Sequence, residues 1–152
     1  CRRPLRFVMH KPIYDVALLN FIFRTAGAIP ILPQRVDKAV FDAAFAAVDK
    51  YLEQGEVVCI FPEGKLTTTG ELNEFKSGIE YVLARRPVCV VPMALKGLWG
   101  SFFSNHKGKA MAKPPRRFWS KITVVAGEAV PPAQAKAAYL QQRVQQLLDT
   151  VA

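Results

Sequence analysis

The chain has 152 residues, 51% of them hydrophobic and 22% charged, and its 21 basic and 12 acidic side chains leave a net charge of +9 at pH 7. That length fits one globular domain, and so much apolar side chain excludes a disordered chain. The sequence has no unbroken apolar run of about 18 residues to form a spanning helix.

In chain order, Leu5 to Met9 reads as a short strand, and Pro12 opens a helix running to about Thr25, with Gly27 as its stop. Ile13, Tyr14, Val16, Leu18, Leu19, Phe21, Ile22 and Phe23 cover nearly every face of that helix, a pattern that requires burial on several sides or contact with lipid, burial being the commoner answer. Ala28 to Leu32 reads as a second strand. Asp37 then caps a helix whose Phe41, Phe45, Val48 and Leu52 recur at helical spacing until Gly55. Glu56 to Phe61 is a continuous apolar β run of the kind buried on both faces.

Helical pattern returns from about Glu74 to Arg86. Val88 to Leu95 follows as a strand, in which Pro92 marks an end or a bulge. Lys121 to Ala126 makes the last strand, and Pro131-Pro132 opens a final helix. Strands alternating with helices predict an α/β fold, a largely parallel or mixed sheet flanked by helices in a single layer-type domain. Cys59 and Cys89 lie in the apolar β runs and read as small buried residues in a reducing compartment rather than as a disulfide frame. Two histidines and scattered cysteines supply no metal constellation.

The charge is unevenly placed. From Tyr81 to Gly127 there are nine basic residues and no Asp or Glu, so the whole excess sits there. Trp99, Phe102, Phe103, Phe118 and Trp119 interleave with Lys113, Arg116, Arg117 and the other cations, a mixture suited to an anionic partner: a phospholipid surface, an acidic carrier protein or nucleic acid. A basic nucleic-acid-binding domain is therefore the alternative reading, although no helix-turn-helix, zinc-finger or RNP-type signature accompanies the cations.

The most informative segment is Ile60 to Gly70, which leaves the apolar strand directly into a turn. Open α/β sheets bind ligands just beyond strand C-termini. There Pro62 and Gly64 fix and bend the backbone and present Glu63 and Lys65, with Thr67, Thr68 and Thr69 behind them.

Phe61-Pro62-Glu63-Gly64 resembles the F-P-E-G signature of the glycerophospholipid acyltransferases, the lysophosphatidic acid acyltransferase superfamily. Arg6-Phe7-Val8, Gly27-Ala28-Ile29-Pro30-Ile31 and Val90-Val91-Pro92-Met93-Ala94-Leu95 are similar to further blocks of that family, in order. Lys65 to Gly70 and Gly97 to Phe103 most resemble the 2-acylglycerophosphoethanolamine (acyl-ACP:phospholipid) acyltransferase branch.

The resemblance implies transfer of a fatty acyl group from a thioester, acyl-ACP or acyl-CoA, to the hydroxyl of a lysophospholipid, with no cofactor or metal. Phe61, Pro62, Glu63, Gly64, Lys65 and Arg35 are the implied substrate-binding residues. Trp99, Phe102, Phe103, Lys113, Arg116 and Arg117 form a patch for an anionic membrane or the carrier. The implied location is the cytoplasmic face of the inner membrane, either peripheral or as a domain of a membrane protein. In this branch the domain is often fused behind a transporter, and the start at Cys1, without Met or a signal peptide, reads as a cut from a longer polypeptide.

In the family a histidine acts as general base, and the aspartate of H-x-x-x-x-D holds its imidazole. His10 and Asp15 have that spacing and are the fallback dyad. Block order reads otherwise: Arg6 to Lys11 resembles the family segment that follows the dyad, commonly R-F-V-A-K-K, so His10 falls on a lysine-like position. Residues 1–152 are therefore read as an acyltransferase domain lacking its N-terminal part with the dyad. On this reading His10 is a helix-start residue and Asp15 a first-turn acid. Arg35 stands two places later than the family's phosphate-binding arginine, and Lys65 is the substitute cation, a point charge rather than a bidentate fork.

Overall fold

The computed structural model describes residues 3–100, 104–105 and 121–150. They belong to two compact units, residues 1–61 with 81–86 and residues 62–80 with 87–152.

The first unit is built on a parallel sheet of β1 (Leu5–His10), β2 (Ile29–Ile31) and β3 (Val57–Cys59) in the order β2-β1-β3. Register pairs Val8 with Ile29 and His10 with Ile31 on one side of β1, and Leu5 with Val57 and Phe7 with Cys59 on the other. β3 is half-buried rather than buried on both faces, because among the described residues it pairs only with β1, at the edge of the sheet.

Between β1 and β2 the expected single helix is two, α1 (Lys11–Tyr14) and α2 (Ala17–Thr25). Val16 is extended between them, and Asn20 Nδ2 donates to the Tyr14 carbonyl oxygen at 2.9 Å, satisfying a group that a continuous helix would have bonded itself. α2 is not buried as expected: Phe21 is 78% and Ile22 56% exposed.

α3 (Lys38–Glu53) follows its periodicity. Ala44, Phe45 and Val48 are buried with Ile29 and Val82, and Phe41 and Leu52 pack against them. Phe45 meets Phe41 at 4.6 Å and Tyr81 edge-on at 4.7 Å between centroids, the geometry that ring quadrupoles favour. Asp37 is the predicted cap, its Oδ1 accepting from Val40 N at 3.0 Å. Asp37→Ala is expected to lower stability by about 1 kcal/mol, the usual worth of an N-cap, measured as a shift of the denaturation midpoint at unchanged m-value.

Polar side chains fix the rim of this unit. Arg6 donates through Nε and Nη2 to both carboxylate oxygens of Glu56, and its guanidinium lies 4.8 Å from the Tyr51 ring centroid. That guanidinium holds the Glu56 carboxyl below the ordinary carboxylate range. Arg86 bonds Asp49 and Glu53 of α3, so part of the basic excess is neutralised within the fold.

α4 (Gly78–Arg85) begins in the second unit and ends in the first. The second unit holds the antiparallel pair β4 (Met93–Lys96) and β5 (Thr123–Ala126), with α5 (Ala137–Thr150) packed on both. Ala94, Val130, Ala137, Leu140 and Val144 are among its buried residues. The strands thus divide between two sheets rather than extending one. β4 begins only after Pro92, which has no N–H to give a ladder and whose carbonyl accepts from Gly127 N at 2.9 Å. α5 begins at Ala137, after a turn over residues 132–134 that starts at the second proline. Cys59 is half-buried and Cys89, expected inside, is exposed in the stretch before Pro92.

Candidate functional site

β3 ends at Cys59, and the chain runs through Phe61, 58% exposed, into the loop Pro62 to Lys76 of the second unit. The ends of that loop are tied, since Lys76 N donates to the Pro62 carbonyl oxygen at 2.9 Å. Gly64 has φ +65°, a conformation that L side chains rarely adopt. A Cβ there would stand 2.8 Å from Lys76 Nζ and 3.2 Å from two carbons of its stem, so the lysine crosses directly over the glycine backbone.

Glu63, the half-buried carboxylate of the motif, is held on one oxygen. Asn73 donates to Oε2 twice, from its backbone N at 2.8 Å and from Nδ2 at 2.9 Å. Among the described residues the other oxygen takes no hydrogen bond. Thr67 Oγ1 accepts from Gly70 N at 3.0 Å and from Thr69 N at 3.3 Å, so its hydroxyl braces the loop's own backbone. Gly70 lies against the Trp99 ring, which a Cβ would approach to 2.8 Å. Trp99 is half-buried there, as a wall of the loop.

Glu63, Lys65, Glu74, Lys76, Glu80 and Gln141 line an open cleft of about 740 Å³ in this unit. Two of its polar groups belong to the scaffold. Glu80 Oε1 accepts from Ala137 N at 3.0 Å at the start of α5, and Gln141 Oε1 accepts from Phe75 N at 2.9 Å. Lys65 and Lys76 are exposed, and no described carboxylate forms an ion pair with either. The cleft therefore offers one fixed carboxylate oxygen, an acceptor for a hydroxyl, and two ammonium groups for an anion.

The other sequence-predicted residues stand elsewhere. Arg35 is exposed in the turn after β2, in the first unit. His10 is the N-cap residue of α1, as expected of a helix start, but its side chain makes no cap bond. Asp15 is the C-cap of α1 rather than a first-turn acid, because the helix stops at Tyr14, and its carboxylate bonds Lys11 Nζ. No hydrogen bond joins His10 to Asp15. Phe102, Phe103, Lys113, Arg116 and Arg117 lie outside the described residues, as does most of the basic segment on which the nucleic-acid alternative rests. Among the described residues no cluster of His, Cys, Asp or Glu is placed to hold a metal ion, and no helix is long and apolar enough to cross a membrane.

Sequence reasoning missed Asn73 and Lys76. The contacts that matter span ten residues of irregular loop from Glu63 and twelve from Gly64, and no periodicity marks them.

The family model described as Acyltransferase matches residues 1–96. The chain is 27% identical over 95 residues to the chloroplastic 1-acyl-sn-glycerol-3-phosphate acyltransferase LPAT1 of Arabidopsis thaliana, covering 62% of this chain and 26% of that one. It is 30% identical over 130 residues to the probable 1-acyl-sn-glycerol-3-phosphate acyltransferase of Mycoplasma pneumoniae, covering 85% of this chain and 47% of the relative. It thus spans about half or less of the length of these relatives. The crystal structure of the 1-acyl-sn-glycerophosphate acyltransferase PlsC from Thermotoga maritima superposes with a TM-score of 0.59 at 17% identity, over 93% of this chain and 53% of the other, a likeness of fold.

Proposed function

The chain belongs to the acyltransferase family, and from that premise we propose that it contributes the acceptor side of an O-acyltransferase acting on lysophospholipids. The acyl donor is a thioester on acyl carrier protein or coenzyme A, and the acceptor is a glycerophospholipid with one free hydroxyl. A general base takes the hydroxyl proton and the oxygen attacks the thioester carbonyl. The new C–O bond forms as the C–S bond breaks, and the sulfur leaves as a thiol once protonated.

The observation that carries this reading is the fixed Glu63 in a cleft that also holds Lys65 and Lys76. A carboxylate oxygen orients a glycerol hydroxyl, and ammonium groups suit the single negative charge of a phosphodiester headgroup. The reading does not use His10 as the base, since Asp15 is engaged by Lys11. A bilayer lipid as acceptor and a water-soluble thioester as donor call for the cytoplasmic face of the inner membrane, with the chain peripheral or part of a membrane protein. The acyl-ACP:phospholipid branch, with its upstream transporter, is the branch this reading favours.

The test is transfer of a labelled acyl group by the native enzyme, from acyl-ACP and from acyl-CoA, to lysophosphatidylethanolamine and to lysophosphatidic acid in vesicles. We expect diacyl product with one thiol released per acyl group transferred, and His10→Ala within about twofold of wild type. No product with any pair sinks the reading. Loss of all activity in His10→Ala makes His10 the base.

A further inference from the structure

We propose that Asn73 is a positioning residue that aims Glu63, through two hydrogen bonds to one of its carboxylate oxygens, so that the other faces the acceptor. The inference rests on the function proposed above and adds a residue to it. Both Asn73 donors, backbone N at 2.8 Å and Nδ2 at 2.9 Å, converge on Oε2. A carboxylate held on one oxygen by a planar amide loses most of its rotation about the last side-chain bond, which in Glu is otherwise broad. That fixes Oε1 without using it.

The rest of the loop supports the same arrangement from the backbone. Lys76 N closes the loop on the Pro62 carbonyl, next in chain to Glu63, and Gly64 turns at positive φ under the Lys76 stem. The carboxylate thus sits between a closed backbone and an amide clamp, where displacement by an ångström would cost a bound substrate its reactive geometry.

If Asn73 acts only through Glu63, losing one should mask losing the other. In the native enzyme we expect Asn73→Ala to lower kcat/KM about tenfold, the scale of one hydrogen bond to a charged group. In a Glu63→Gln background the same change should cost less than about twofold, the non-additivity of residues that share one interaction. A merely structural role predicts additive losses. Should Asn73→Ala fail to fold, Asn73→Ser, which retains the backbone donor and a hydroxyl, carries the same cycle.

Asn73→Asp gives a second readout. It sets a carboxyl against Glu63 in a cleft whose other ionisable groups, Lys65, Glu74, Lys76 and Glu80, are unchanged from wild type. At acid pH two adjacent carboxyls share a proton and bond to each other; as pH rises the proton is lost and they repel. Activity relative to wild type should then be largest at the acid end and fall as pH rises. Additive losses in the cycle, or an Asn73→Asp profile parallel to wild type, overturn the role of Asn73 while leaving the acyltransferase reading intact. A wild-type enzyme that transfers no acyl group overturns that reading, and this role with it.

Discussion

Glu63→Gln should lower kcat/KM of the native enzyme by about 10²-fold, the scale at which a lost positioning contact is felt in turnover. The substitution keeps the shape of the side chain and one carbonyl oxygen for Asn73, so the latch from backbone N and Nδ2 survives as neutral hydrogen bonds. What it removes is charge, and with it the second acceptor oxygen, which takes no hydrogen bond among the described residues. The loss of stability should stay near about 1 kcal/mol, the difference between a charge-assisted and a neutral hydrogen bond. A large kinetic effect at nearly constant melting midpoint separates a site residue from a scaffold residue. Kinetics equal to wild type would remove Glu63 from the site and leave the motif as a turn.

Glu80 provides the contrast within the same cleft. Its Oε1 accepts from Ala137 N and its Oε2 lies 3.7 Å from Lys136 Nζ, so both oxygens serve the start of α5. Glu74, the third carboxylate of the cleft, is exposed and has no described hydrogen bond or ion pair, so only Glu63 combines one oxygen held by the loop with another left without a described partner, and that difference directs the functional reading to it.

How far all this was legible in the sequence depends on what kind of interaction does the positioning. Local rules sufficed for α3, where Asp37 caps, the apolar spacing faces Ile29 and Gly55 follows its end. They also sufficed for the three parallel strands of the first unit. They failed where a distant group decides the outcome. The break between α1 and α2 depends on Asn20 reaching back to Tyr14, and β4 pairs antiparallel with β5 from about thirty residues away, a pairing that no local pattern specifies. At the candidate site the motif marked Glu63 and Gly64 but not Asn73 or Lys76, because a loop that folds on itself leaves no periodic trace. The exposure of Phe21 and Ile22 was equally hidden, since apolar composition does not say what a helix face meets.

The largest stability effect is expected at Gly97, just after β4. Its φ is +93°, and a Cβ there would stand 2.1 Å from the backbone oxygen of Lys121 and 3.2 Å from its carbonyl carbon. At Gly27 and Gly64 the obstacle is an arginine or lysine side chain, which can swing away. At Gly97 it is main chain, two residues before β5 and opposite the end of the ladder that pairs Lys96 with Thr123. Gly97→Ala must therefore either push β5 away from β4 or twist the turn out of its conformation. Gly55→Ala isolates the strain alone: φ is +74° and nothing lies within 4 Å of the added carbon. The strain should cost about 1 kcal/mol at Gly55. At Gly97 strain and backbone clash together should cost about 3 kcal/mol or more. Chemical denaturation of the two variants beside wild type measures both. Equal losses at the two glycines would mean that the β4–β5 pair yields to the added methyl group at little cost, and that the close approach at Lys121 does not hold the strands in register.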